Sequence, residues 1–309
     1  MKSYRLAAIV AASVLSGGAY AADLTKVAPP PAAPASTDGF DYAFGGKLQT
    51  DYISRGITQT DHQPGATAYG ELRYNLGDTQ FYVGNQDWSV KLPTAPAAEV
   101  DLYGGVRQTW GPVTVDVGGI YYYYPGNTLQ YETTGGVGSF SCLAQFNCGT
   151  PTTAADPSYF ELYAKPSWTV NDTLTVGGNL YWSPNWNNYG YGTNETYLSG
   201  TAKVSLPSNF SISGEFGHEF LGTSSITYGP TVFVSYNTWN LGVSYAYNVF
   251  TFDLRYYGTD LSSTNCWIDS SDPHGNVPGA GASDKSNWCG QRVMASLSLD
   301  LTSANLVKK

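Results

Sequence analysis

The chain has 309 residues and a formal net charge of −9 at pH 7, from 24 acidic and 15 basic side chains. Only 13% of its residues are charged and 15% are aromatic, which excludes a globally disordered chain. The acidic balance without a basic patch argues against a nucleic-acid partner. Beyond the N-terminus, no apolar run reaches the roughly 20 residues that a membrane-spanning helix needs.

The N-terminus has the pattern of an export signal. Lys2 and Arg5 precede an apolar run over residues 6–15, and Ala19-Tyr20-Ala21 is a small-x-small cleavage site. This pattern predicts a signal peptide over residues 1–21, against the alternative of a buried core helix. Residues 22–39 are rich in Pro and Ala and are expected to form a periplasmic linker.

From Phe40 to Tyr52, apolar and aromatic residues occupy the even positions, and the odd positions are mostly polar or charged. Such alternation predicts a strand between two different environments. It recurs with turn residues between the copies, although over 81–90 it is weaker, because Gln86 shares a face with Tyr82, Trp88 and Val90. The other alternating stretches are 66–76, 99–110, 113–123, 160–168, 174–182, 198–204, 210–216, 239–245, 250–256 and 292–300.

About twelve strands result, an even number as in bacterial outer-membrane barrels. Every second connection is a short turn, at 77–78, 111–112, 171–172, 207–209 and 248, whereas the others are longer, at 56–65, 91–98, 125–157, 184–194, 221–231 and 260–290. Short periplasmic turns and long extracellular loops are typical of this class. We therefore predict an all-β, transmembrane antiparallel barrel over residues 40–303 with a C-terminal tail over 304–309, rather than a soluble β-sandwich.

Aromatic residues at both strand ends support placement in a membrane, because aromatic girdles mark the two lipid–water interfaces. The girdle beside the short turns is predicted to contain Trp110, Trp168, Phe210 and Phe250, and the girdle toward the long loops Tyr52, Trp88, Tyr123, Phe160, Trp182, Phe220 and Tyr256.

Several segments also resemble a known family. Residues 51–60 (DYISRGITQT), followed by Pro64, resemble the opening motif of the TorF-like porins, the Gcw_chp family of exported proteins. Similar pieces follow at 115–125, 159–163, 239–244 and 256–260, so the resemblance covers most of the chain from about residue 40. It implies an outer-membrane barrel with a pore function.

The four cysteines fall in two predicted long loops. In an exported protein they are expected to form disulfides. Three pairings exist, and we favour Cys142–Cys148 and Cys266–Cys289, because each closes its own loop. A metal or redox site is disfavoured, since neither a CxxC motif nor a nearby His gives ligand spacing.

Catalytic motifs are weak. His62 and His274 fall in loops, and His218 is predicted to face lipid near an interface, where a membrane-facing hydrolase is the remote alternative. The sequence Gly242-Val243-Ser244-Tyr245-Ala246 lies mid-strand and does not fit a nucleophile elbow. We expect neither enzymatic activity, nor a metal, nor a cofactor.

The charges predicted to face the lumen are the candidate functional surface. They either filter solutes in a water-filled pore or pair within a plugged interior. Asp51 and Arg55 are the first candidates for a constriction, and nine acids against seven bases predict a weak cation preference. The predicted pore-lining residues are Lys47, Asp51, Arg55, Glu71, Arg73, Glu99, Asp101, Arg107, Asp116, Glu161, Lys165, Lys203, Glu215, Asp253, Arg255 and Asp300.

The function that we expect is passive diffusion of small hydrophilic solutes or ions through the outer membrane of a Gram-negative bacterium. The alternative is a non-conducting barrel that displays disulfide-stapled loops for adhesion or ligand binding. The expected partners are outer-membrane lipid and the solutes, and the sequence leaves open whether the barrel is a monomer or a homo-oligomer.

Overall fold

A computed structural model describes residues 38–126, 130–131, 142–143, 156–188, 193–223, 233–270, 272 and 285–303. Within these residues, twelve antiparallel strands close into one barrel, each pairing with its neighbours in the chain and the last with the first. This confirms the predicted fold class. The strands are β1 Gly39–Gln49, β2 Gly65–Leu76, β3 Thr79–Trp88, β4 Glu99–Trp110, β5 Val113–Tyr123, β6 Tyr159–Thr169, β7 Leu174–Ser183, β8 Glu195–Ser205, β9 Phe210–Leu221, β10 Tyr236–Tyr247, β11 Phe250–Thr259 and β12 Arg292–Thr302.

Smaller elements lie in the connections. Strands Ile53–Ser54 and Ile57–Thr58 form a hairpin between β1 and β2, and Gln130–Tyr131 pairs with Cys142–Leu143 between β5 and β6. Helix α1 (Ser263–Ser270) lies between β11 and β12. No helix in the described part of the chain is long and apolar enough to cross a membrane. The predicted signal peptide, residues 22–37 of the linker and the tail 304–309 lie outside the described residues.

The outer surface of the barrel is apolar. Leu48, Leu72, Phe216, Leu241 and Val293 are each about 60% exposed, and they alternate with inward side chains along their strands. A contiguous apolar surface of this kind is rare on soluble monomers. Nine of the eleven aromatic residues predicted for the girdles face outward. Beside the short turns they are Trp110, Trp168, Phe210 and Phe250, and toward the long loops they are Tyr123, Phe160, Trp182, Phe220 and Tyr256.

The two exceptions are Tyr52 and Trp88, which face the interior. Each is 1% exposed, and their rings stack at 4.1 Å. Tyr52 departs from the prediction because β1 ends at Gln49, after which the chain turns inward. Trp88 lies on the inward face of β3 together with Gln86, where its indole N–H donates to Asp101 at 3.1 Å. The polar Gln86 on this face of β3 therefore indicated correctly that the face points into the barrel.

Tyrosines fill much of the interior. Buried rings project inward from β2 to β8 and from β11, and several lie over a glycine of the next strand. Tyr163, for example, is directly opposite Gly118, where an added Cβ would lie 2.5 Å from the tyrosine hydroxyl. The missing side chain lets the ring lie flat against the neighbouring strand. The inward tyrosines include Tyr69, Tyr82, Tyr103, Tyr122, Tyr163, Tyr181, Tyr197 and Tyr257.

Candidate functional site

The connection between β1 and β2 folds into the lumen rather than outward. We call residues 50–64 the strap. Its hairpin of Ile53–Ser54 and Ile57–Thr58 places Arg55 and Gly56 at the tip, both with positive φ, at 44° and 83°. Ile53 is fully buried and Arg55 is 7% exposed. A turn with positive φ at both tip residues matches the twist of a tight hairpin.

The strap tip is tied to the opposite wall. The Arg55 guanidinium donates to Glu161 at 2.7 Å, to Glu219 at 3.1 Å and also to Glu195. These glutamates lie on β6, β9 and β8, across the ring of twelve strands from the β1–β2 connection. The guanidinium also lies over the ring of Tyr197, 4.9 Å from its centroid. Arg55 therefore spans the lumen.

The base of the strap is held by Asp51. One carboxylate oxygen accepts hydrogen bonds from the hydroxyls of Thr58 at 2.5 Å and Thr60 at 2.9 Å, and the other accepts from Arg292 of β12 at 2.9 Å. Burial raises the pKa of Asp51 above its ordinary value, against the opposing effect of these hydrogen bonds and of Arg292. The His62 ring contacts both Asp51 and Arg292.

Residues 285–291 pack against the strap on the side of the long loops. Trp288 donates its indole N–H to Asp61 at 3.2 Å, and its carbonyl accepts from the Thr58 amide at 3.1 Å. The Cys266–Cys289 disulfide joins this segment to helix α1. The favoured Cys142–Cys148 pair lies outside the described residues, because Cys148 is not among them.

The strap tip also fits tightly against β10 and β11. A Cβ at Gly56 would lie 2.3 Å from Thr259 Cγ2 and 2.8 Å from Thr238 Oγ1. The Tyr236 hydroxyl donates to the Arg55 carbonyl at 3.1 Å. The tip is therefore fixed by contacts on two sides of the lumen.

A cavity of about 1000 Å³, including its opening to solvent, lies against the strap at the end of the barrel that carries the long loops. We call it the vestibule. Arg55, Glu195 and Glu219 line it from the strap and the wall, and Asp269 of α1 and Trp186 line it from the loops. The strap thus forms part of the vestibule's lining.

The burial of inward polar side chains varies within the barrel. Near the long loops, inward polar side chains such as Ser183 and Asp101 are fully buried. Near the short turns, the inward side chains Thr175, Thr201 and Lys203 of β7 and β8 are half-exposed. Arg73, Asn75 and Gln80, beside the short turn between β2 and β3, are buried. Below the strap, the polar wall is therefore partly open to solvent on some strands and closed on others.

Two charge clusters lie on the walls. On β2 to β6, Arg107 donates to Glu71 at 2.8 Å and to Asp116 at 3.2 Å, and Lys165 lies 3.4 Å from Asp116. Arg73 donates to Glu71 at 2.5 Å. Together these contacts form an alternating network of acids and bases. Such pairing is expected, because a buried charge without a partner of opposite sign is costly.

The second cluster spans β9 to β11. Arg255 donates to Asp253 at 2.9 Å, to the side chain of Asn240 at 2.7 Å and to that of Ser213 at 2.8 Å. Glu215 lies beside it and accepts from Asn240 at 3.4 Å. Polar partners from three adjacent strands thus hold this arginine on the wall.

All sixteen residues predicted to line a pore lie inside the barrel, either buried or half-buried. Asp51 and Arg55 differ from the others because they belong to the strap and not to a strand of the wall. Lys203, Asp253 and Asp300 are half-exposed in the half near the short turns.

The sequence reading missed four residues of this site: Glu195, Glu219, Asp269 and Arg292. Glu195 shares the parity of Lys203, and Glu219 that of Glu215, so the alternation that found their neighbours could have found them. No such pattern marks Asp269, which lies on a loop helix.

The remaining candidates are placed as follows. His218 is half-buried on the outward face, and its ring contacts Asn237 at 2.8 Å and Phe220. His274 lies outside the described residues. Within the described residues, no group of three or more His, Cys, Asp or Glu side chains could hold a metal ion.

Residues 32–137 match a family model described as a bacterial protein of unknown function, Gcw_chp. The match covers the strap and β1 to β5. A search of the curated proteins finds no match to the chain.

Solved structures with a similar chain path include three proteins. One is an outer membrane channel from Pseudomonas putida F1, with 9% identity over 88% of this chain and 98% of that chain and a TM-score of 0.44. Another is the toluene transporter TbuX of Ralstonia pickettii, with 11% identity over 94% and 96% and a TM-score of 0.40. The third is the NanC porin, with 10% identity over 85% and 98% and a TM-score of 0.41. We draw no functional argument from these likenesses.

Proposed function

We propose that this chain is exported to the outer membrane of a Gram-negative bacterium and acts there as a channel for small hydrophilic solutes or ions. The apolar outer face of the closed barrel supports insertion into a bilayer, since a closed barrel satisfies its backbone hydrogen bonds without water. In the proposed orientation, the long loops and the vestibule face the extracellular side of the membrane.

The observation that carries the proposal is the strap. Arg55 crosses the lumen to Glu161, Glu195 and Glu219, with the vestibule on one side. On the other side the wall is polar, and some of its side chains, such as Lys203 and Asp253, are half-exposed. A polar interior divided by one tied segment is the arrangement expected of a channel with a constriction. Passage then requires the strap to move or leaves a narrow path beside it.

Planar-bilayer recording tests the proposal. The wild-type barrel is expected to give small stepwise conductance, and Arg55→Ala a larger single-channel conductance, because the tie across the lumen is lost. Arg255→Gln is the matched control, since it removes an interior arginine that belongs to the wall. Equal conductance in Arg55→Ala and wild type would contradict the role of the strap.

The charge of the interior predicts the sign of selectivity. To the nine acids and seven bases predicted from the sequence, the structure adds three acids, Glu195, Glu219 and Asp269, and one base, Arg292. Negative charge lining a pore favours cations. A KCl gradient should therefore give a reversal potential of the sign for cation preference, and anion preference would contradict this electrostatic reading.

A closed scaffold is the second candidate function. The ionic ties of Arg55 and the attachment of residues 285–291 to the strap favour it, because they hold the lumen shut. A folded barrel that conducts neither as wild type nor as Arg55→Ala would support the scaffold.

A further inference from the structure

Three carboxylates of the vestibule each keep one oxygen without a hydrogen-bond partner among the described residues. They are the second oxygens of Glu195, Glu219 and Asp269. Glu195 and Glu219 are 1% exposed and Asp269 is 6% exposed, and all three line the vestibule. Buried polar atoms are normally satisfied, and an unpaired one costs free energy.

The other acids near the vestibule are already satisfied. Glu99 accepts from the hydroxyls of Tyr52 at 2.8 Å and Tyr124 at 2.9 Å, and Glu161 accepts from Arg55 and from the Tyr122 hydroxyl. Among the acids that line the vestibule, the oxygens without a partner thus belong to Glu195, Glu219 and Asp269.

The charge of the lining is also unbalanced. Glu99, Glu195, Glu219 and Asp269 line the vestibule, and Arg55 is the basic side chain among its described lining residues. Burial, together with the nearby Glu219, raises the pKa of Asp269 to about 7, although the Val234 amide donates to its other oxygen. A cation bound in the vestibule would offset the unfavourable burial of these carboxylates.

Aromatic side chains also line the vestibule. Tyr124, Tyr159, Tyr236 and Trp186 line the same space. Aromatic faces attract organic cations, and unpaired carboxylate oxygens accept from their N–H groups. A bare metal ion is a poorer match, because the described side chains form no metal-binding group.

We propose that the vestibule binds a small organic cation with N–H donors, an amine or a guanidine, through the free oxygens of Glu195, Glu219 and Asp269. This deepens the proposed function by naming a substrate class, and it rests on that function only for passage through the barrel. Binding itself requires no conductance.

Calorimetric titration of the folded, oxidised barrel in detergent tests the proposal, with cadaverine as the probe and 1,5-pentanediol as its neutral counterpart. We expect saturable binding of cadaverine and none of the diol. Glu219→Gln and Asp269→Asn should each weaken binding roughly tenfold or more, because each removes a charged acceptor. Asp78→Asn, an exposed acid in a short turn at the other end, is the matched control.

Asp269→Asn keeps the test informative if a wall variant does not fold, because Asp269 lies on a loop helix outside the barrel wall. The proposal is overturned if cadaverine does not bind, if the diol binds equally well, or if the folded variants bind like wild type. A barrel that conducts but does not bind cadaverine would overturn the proposed cation site and leave the channel function standing. A barrel that binds cadaverine but never conducts would overturn the channel function and leave the cation site standing.

Discussion

Replacement of Gly56 by alanine gives the sharpest test of the strap. The residue has φ of 83°, and an added Cβ would lie 2.3 Å from Thr259 Cγ2. The left-handed backbone costs a non-glycine residue about 1–2 kcal/mol, and overpacking adds about 1–3 kcal/mol. We therefore expect Gly56→Ala to lower the free energy of unfolding by about 2–5 kcal/mol.

The matched control is Gly111→Ala. Gly111 also has positive φ, at 56°, but nothing lies within 4 Å of its added Cβ. This variant isolates the backbone penalty, so it should cost only about 1–2 kcal/mol. The assay is urea unfolding of the barrel folded in detergent, with the conductance of each variant as a second readout. Only Gly56→Ala should also enlarge the conductance.

A double variant identifies the clash. Thr259→Ser removes Cγ2 but keeps the hydroxyl that donates to the Cys289 carbonyl at 2.9 Å. In the Gly56→Ala background it should recover about 1 kcal/mol or more beyond additivity. Two results together would refute the close packing of Gly56 against Thr259. They are equal destabilisation by the two glycine variants and additive effects in the double variant.

Two further predictions concern the loops that cover the lumen. The pKa of Asp269 is about 7 in the folded chain against an ordinary 3.8, so the folded state holds the proton more tightly, and stability should fall as pH rises from about 4 to 7 and then level off. Proteolysis of α1 should accordingly be slower at pH 5 than at pH 8, and Asp269→Asn should abolish the difference; equal rates in wild type would contradict it. Reduction of the Cys266–Cys289 disulfide, which closes a separation of 23 residues, should lower the free energy of unfolding by about 3 kcal/mol and lower the Tm, because the unfolded chain regains entropy. An unchanged Tm would contradict this stabilisation.

The strands could be predicted because their environment repeats along the chain. A barrel wall faces lipid on one side and a polar interior on the other, so every strand carries a period of two. Lys47, Glu71 and Asp116 lie on the inward face for this reason. In β3 the same rule gave the wrong face, because Trp88 was read as a membrane anchor although it donates to Asp101 inside the barrel.

The strap could not be predicted by the same rule. Nothing in the alternation marks the end of β1 at Gln49, and the parity of Asp51 happens to continue inward past that end. The partners of Arg55 are 106, 140 and 164 residues away, on three strands. Contacts at such separations arise only once the barrel closes, and no local propensity encodes them.

The chemistry of the Arg55 tie explains how a short hairpin is held in one position. A buried ion cluster contributes little net stability compared with apolar packing, because desolvation offsets the attraction. It is directional, however, and Arg55 meets all three glutamates only when the strap lies across the lumen. One guanidinium also leaves the second oxygens of Glu195 and Glu219 without partners. The interaction that fixes the strap thus leaves acceptors for a second cation, which joins the constriction and the binding site in one cluster of residues.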